Sequence, residues 1–145
     1  MFDCHCDTLT KISYEHTLSS NCYDVDFARL ATYGKAVQMF AVFNNGQYTS
    51  SDMLSLIKRL RIEADNSSMA TFCITYDDIC NNANPVSALV SLEGVGNTPA
   101  FLCEDIYRFY EYGVRVMSIT WNNDNPLCGG IENNSKGLTD YYESV

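Results

Sequence analysis

Ala36-Val37-Gln38-Met39-Phe40-Ala41-Val42-Phe43 is a near-continuous apolar run closing the stretch from Lys35 to Phe43. Such a run suits a strand buried on both faces, the pattern of a parallel sheet. A similar run lies at Pro85–Leu92 and ends at Glu93-Gly94, and another strand-like stretch covers Val114–Thr120. Phe2-Asp3-Cys4-His5-Cys6-Asp7-Thr8 reads as a short first strand. The four strands are therefore expected near residues 2–7, 37–43, 86–92 and 114–120.

Helical signals separate them. Asp24 is placed to cap a short helix over Val25–Tyr33, with Phe27, Leu30 and Ala31 on one face and Gly34 as its stop. Beyond the turn-rich Asn44–Ser50, Ser50 or Ser51 caps the clearest helix in the chain. Met53, Leu56, Ile57, Leu60 and Ala64 recur there at helical spacing. Met69–Ile74 reads as a short extra strand and Tyr76–Asn82 as a helical turn. Thr98-Pro99 opens a further helix with proline at its first position. Leu102, Ile106, Phe109 and Tyr110 form its apolar face, and Gly113 ends it. Thr8–Cys22 and the Asn/Gly-rich Trp121–Lys136 read as loops, and Gly137–Val145 as the start of another helix. Strand followed by helix, four times over, predicts an α/β fold with about four parallel strands and intervening helices. Periodicity alone does not separate a doubly wound sheet from half of an eight-stranded barrel. The ending inside a helix start favours a truncated barrel.

The 145 residues make one domain's worth of chain, residues 1–145. With 18 acidic residues against 9 basic ones, the net charge is −9, and no Lys/Arg cluster is present. Nucleic acid is thereby excluded as a partner, whereas a polyvalent cation is not. No apolar run approaches the roughly 18–20 residues that cross a bilayer, so no membrane partner is expected. Nothing at the N-terminus resembles a signal peptide. The seven cysteines form no Cys-x-x-Cys, which argues against a structural zinc knuckle. Most lie in apolar or strand-like runs and read as small hydrophobes. A reducing cytoplasm is the expected location, where the sequons at Asn66 and Asn133 carry no meaning.

Side chains alternate along a strand, so Asp3, His5 and Asp7 are expected on one face and Cys4 and Cys6 on the other. His5 and Asp7 end the first strand and Glu93 ends the third. In a parallel fold those ends share one side of the sheet, where α/β proteins place their sites. Imidazole with two carboxylates suits zinc, manganese or iron better than calcium. Asp3 stands behind them as a carboxylate able to orient the imidazole. Glu93 has two oxygens and could bridge two metals about 3.5–4 Å apart that share a water of lowered pKa. Two complete sites need further histidines. The only other one, His16, sits in a polar loop without ligand spacing and reads as a surface residue. Histidines this few also make a serine or cysteine nucleophile pair hard to build. Gly94-Val95-Gly96 is no dinucleotide fingerprint, because Pro99 stands where the third glycine belongs.

Several stretches together resemble the renal (membrane) dipeptidase family of zinc peptidases. They are Asp3-Cys4-His5-Cys6-Asp7-Thr8, Val90-Ser91-Leu92-Glu93-Gly94, Tyr112-Gly113-Val114-Arg115-Val116-Met117-Ser118-Ile119-Thr120-Trp121-Asn122, Asn125-Pro126-Leu127 and Lys136-Gly137-Leu138-Thr139. Their order and spacing agree across the whole chain. The resemblance implies the N-terminal half of a binuclear-zinc (β/α)8 TIM-type barrel. It implies hydrolysis of a dipeptide's amide bond by metal-bound hydroxide. His5 and Asp7 match the family's first-strand metal ligands, and Glu93 matches its catalytic, metal-bridging glutamate. The family's remaining ligands are two histidines on later strands, and a later aspartate acts in proton transfer. This sequence contains no counterpart of the three. Trp121 stands where animal members carry a substrate-contacting histidine and resembles the bacterial branch; Asn122 beside it is a candidate substrate contact. A complete member holds two zinc ions, and this chain is expected to hold at most one, weakly, and to be inactive alone. Two alternatives stand beside that reading. One is a non-catalytic half-barrel that acts by self-association, as a homo-oligomer or with a complementary half. The other is a related barrel metallohydrolase of another small amide.

Overall fold

The computed structural model describes residues 1–131 and 137–140. Its sheet contains β1 (Phe2–Cys6), β2 (Ala36–Phe43), β3 (Ala70–Phe72), β4 (Val86–Glu93) and β5 (Val116–Ser118). The helices are α1 (Thr8–Lys11), α2 (Phe27–Ala31), α3 (Ser50–Asp65), α4 (Tyr76–Asn81) and α5 (Cys103–Glu111), with one 3-10 turn at Val95–Asn97. Every strand pairing is parallel. β1, β2, β4 and β5 form a curled half-barrel of four strands, as expected for the N-terminal half of a TIM barrel. The extra strand β3 shares one edge of β4 with β5. It pairs with Val86–Ala88, and β5 pairs with Ser91–Glu93.

β2 and β4 form the spine. They run in unbroken register from Ala36 opposite Val86 to Phe43 opposite Glu93. The period of two sorts their side chains. Ala36, Phe40 and Val42 join Val86, Ala88, Val90 and Leu92 in the hydrophobic core shared with the helices. α3 contributes Met53, Leu54, Ile57, Leu60 and Ala64, all buried. α2 contributes Phe27, whose ring meets Phe40 edge-on at 5.9 Å. The other face of the spine carries Val37, Met39, Ala41 and Phe43 toward the barrel interior, and it ends at Glu93.

Several element boundaries differ from expectation for local reasons. α2 is capped by Asp26 rather than Asp24, because the Asp26 carboxylate accepts the backbone N–H of Arg29. α3 is capped by Thr49 rather than a serine, in a reciprocal capping box with Asp52. The stretch after β1 is not all loop. α1 forms at once and buries Leu9. Pro99 is not the first residue of α5. A 3-10 turn and an exposed Pro99-Ala100 corner, Ala100 at φ +52°, intervene before Cys103. The face turned inward carries Asp105 and Phe109, one helical turn apart, so Phe109 is buried while Leu102, Ile106 and Tyr110 are exposed. β5 is shorter than expected. The helix expected over 137–145 falls mostly on residues 141–145, outside the described residues. No described helix is long and apolar enough to cross a membrane.

Asp26 ties α2 to the loop before it. It accepts hydrogen bonds from Arg29 Nε at 2.9 Å, Arg29 Nη2 at 2.7 Å and the backbone N–H of Asn21 at 3.1 Å. Burial acts to raise its pKa, but the bonds from Arg29 and Asn21 outweigh it and hold the carboxyl below its ordinary 3.8. A depressed carboxylate contributes stability that is fully present above the ordinary value and is lost as pH falls through the folded one. Asp26→Asn is expected to lower unfolding free energy at pH 7 by about 2 kcal/mol, the scale of a hydrogen bond to a charged group. Urea melts read the effect, and the gap from wild type narrows as the pH is taken below about 4. A gap that widens in acid would contradict this role.

Candidate metal centre

The strand ends bring His5, Asp7 and Glu93 together. One ligand atom from each lies within 4.8 Å of the others. His5 Nε2 is 3.2 Å from Asp7 Oδ1 and 3.8 Å from Glu93 Oε2. The side chains are 50%, 37% and 23% exposed in the order His5, Asp7, Glu93, so the cluster opens to solvent with Glu93 at its floor. Both carboxylates face the same imidazole nitrogen. That donor set, one nitrogen and two hard oxygens, suits a divalent transition metal, and the residues fit a single cation.

The route to this arrangement is partly irregular. β1 pairs with β2 as Asp3 opposite Gln38 and then Cys6 opposite Phe40, so three steps on β1 match two on β2. The extra residue reverses the alternation between Asp3 and His5. His5 and Asp7 stay together at the mouth of the sheet. Asp3 turns to the other side, where it lines a cleft with Gln38, Arg29 and Tyr33. The expected common face of Asp3, His5 and Asp7 is therefore corrected. Asp3 accepts the backbone N–H of His5 at 3.3 Å and does not orient the ring.

Glu93 is held by the loops at three strand ends. Its carbonyl accepts the Asn44 N–H at 2.9 Å, and Gly94 N–H donates to the Ser118 carbonyl at 3.1 Å. The buried Asn44 amide donates to Thr98 Oγ1 at 3.0 Å, and Asn97 Nδ2 donates back to the Asn44 carbonyl at 3.2 Å. After β5, Asn125 Oδ1 accepts the N–H groups of Leu127 and Cys128. Beside Glu93, the rings of Phe43 and Trp121 meet edge-on at 5.3 Å and wall the mouth. Asn122 is half-buried in the same loop, and its side chain makes no hydrogen bond to His5, Asp7 or Glu93.

Lys11 is a residue that the sequence reading missed. Its ammonium lies 3.5 Å from Asp7 Oδ2, one helical turn beyond it. The Asp7–Lys11 spacing of four is the signal, but it has meaning only once α1 is recognised as a helix. Asn44, Asn97 and Thr98 were likewise unassigned, because each acts through a contact distant in sequence. His16 is half-buried and bonded, and Cys4, Cys22 and Cys80 are exposed thiols rather than packed hydrophobes.

A model of the membrane dipeptidase family (peptidase family M19) matches residues 1–145. No curated protein matches the chain.

Gly94 carries the turn that follows Glu93, at φ +74°, and a Cβ there would stand 2.5 Å from the Asn44 carbonyl oxygen. Gly34 has nearly the same φ, +75°, with nothing within 4 Å of such a Cβ. Alanine at either position bears left-handed strain of about 1–2 kcal/mol, and at Gly94 it also meets fixed backbone. Gly94→Ala is expected to destabilise by at least about 1 kcal/mol more than Gly34→Ala. Thermal melts of the two variants check this, and equal losses would show that the strand-end loops give way freely.

Proposed function

The chain belongs to the membrane dipeptidase family, and on that premise we propose that it is the metal-holding N-terminal half of a zinc dipeptidase. At the level of the family it is a peptidase-type hydrolase with dipeptides as its substrate class. The finer reading is supported above all by the convergence of His5 Nε2 with the Asp7 and Glu93 carboxylates at the ends of parallel strands. In this reading His5 presents the Nε2 lone pair and Asp7 one oxygen. Glu93 would be the catalytic carboxylate and would hold the cation together with His5 and Asp7. Bound zinc supplies Lewis acidity toward water and the amide carbonyl. Phe43 and Trp121 shield one side of the mouth from solvent. Lys11 balances Asp7 until a cation replaces it.

Three protein ligands suit one zinc, which takes about four ligands in all. A stable pair needs donors beyond these three. We therefore expect one weakly held zinc and no measurable dipeptide hydrolysis by the 145-residue chain. Calorimetric zinc titration should show binding that disappears in His5→Ala and in Asp7→Ala. Lys11→Gln, which removes the competing ammonium, should tighten binding about threefold. Zinc-dependent turnover abolished by Glu93→Gln would overturn the inactivity. Undiminished binding in His5→Ala would overturn the site.

A second reading, a non-catalytic half-barrel that self-associates, is favoured by its interior face. Phe2 is 60% exposed and Val116 and Trp121 are each 48% exposed there, and β1 has an open edge. Light scattering across a concentration series should show dimers or larger species. A monodisperse monomer at all concentrations would contradict self-association.

A further inference from the structure

The chain's second histidine, His16, faces a thiol. His16 Nε2 lies 3.1 Å from Cys22 Sγ. Its Nδ1 lies 3.4 Å from Ser13 Oγ. When Nδ1–H donates to that hydroxyl, the Nε2 lone pair is directed at the thiol. This is the arrangement that activates a nucleophile: sulfur, adjacent base, and a third group fixing the base.

The surrounding loop holds the pair in place. Arg59 donates to the carbonyls of Ile12, Ser13 and His16, the last at 2.7 Å. Glu63 accepts the Leu18 N–H. Asn21 Nδ2 donates to the carbonyls of Thr17 and Val25, and Asn21 Oδ1 accepts the Tyr23 N–H, so both neighbours of Cys22 are pinned. The Tyr23 ring packs edge-on against the His16 ring at 5.8 Å. The Arg29 guanidinium is bonded to the carbonyl of Asn21, the residue before Cys22. Cys22 itself is exposed. The other exposed thiols lack this setting: Cys80 has no histidine beside it in the chain, and the histidine beside Cys4 directs its Nε2 to Asp7.

We propose that Cys22 is the reactive thiol of this chain, a site of thiol–disulfide exchange with small disulfides such as glutathione disulfide, with His16 as its base. His16 Nε2 takes the thiol proton, and the Cys22 sulfur attacks one sulfur of the disulfide. A new S–S bond forms at Cys22 as the old one breaks. The departing thiolate takes the proton from His16 and leaves as a thiol, so Cys22 is oxidised and one half of the disulfide is reduced. Ser13 is a positioning residue, acting through the imidazole.

The test treats the folded chain with limiting glutathione disulfide, quenches with acid and maps the modified cysteines by mass spectrometry. Cys22 is expected to react at least about tenfold faster than Cys4 and Cys80 in the wild type, a comparison that needs no variant. His16→Gln should bring Cys22 down to the rate of Cys80. Ser13→Ala should slow Cys22 while Ser13→Thr, which keeps a hydroxyl, retains the rate. Similar rates at the three exposed thiols, or an unchanged Cys22 rate in His16→Gln, would overturn the proposal. Equal slowing in both Ser13 variants would remove Ser13 from it.

Discussion

The parallel ladder between β2 and β4 is the constraint on which the rest depends. It runs for eight residues without a shift, from Ala36 and Val86 to Phe43 and Glu93. In a sheet, a slip of one residue would exchange the two faces of either strand. Phe40, Val42, Val90 and Leu92, all buried with the helices, prevent that slip, because it would carry them to the open interior. The same registration delivers Glu93 to the end of β4 with its side chain on the interior face. Burial on one face thus positions a carboxylate on the other.

The strand ends then decide what that carboxylate meets. β1 reaches β2 through a bulge, which sends Asp3 outward and keeps His5 and Asp7 at the mouth. The turn at Gly94 fits against the Asn44 carbonyl with no room for a side chain. Asn44 and Asn97 side chains link the loops after β2 and β4, backbone bonds from Gly94 and Gly96 link the latter to the end of β5, and Asn125 ties its own loop together, so the site is supported without added charge. The charge there comes from Asp7 and Glu93, opposed by Lys11 beside Asp7. In a chain of net charge −9, this open pair of carboxylates beside an imidazole is a natural cation position.

What was legible in the sequence follows a physical division. β2, β4 and α3 were readable because their burial leaves an apolar trace, near-continuous in the two strands and at helical spacing in α3. The convergence of His5, Asp7 and Glu93 was readable because parallel strands place their C-terminal ends together. The role of Asp3 was not, since a single inserted residue reverses alternation without leaving any mark in composition. Asp24 and Asp26 are equally good caps on paper, and only the Asn21 and Arg29 contacts choose between them. The start of α5 was obscured by Pro99, a proline that suits a first helical turn and a corner equally. The His16–Cys22 pair depends on how one loop folds back on itself, which spacing along the chain does not reveal.

Zinc K-edge X-ray absorption of the zinc-loaded chain tests the central claim most directly, because Cys4 and Cys6 flank His5 and offer the obvious competing ligands. The account predicts an imidazole nitrogen and carboxylate oxygens at about 2.0–2.2 Å, with no sulfur in the shell. A sulfur scatterer at about 2.3 Å, or the absence of the imidazole signature, would contradict it.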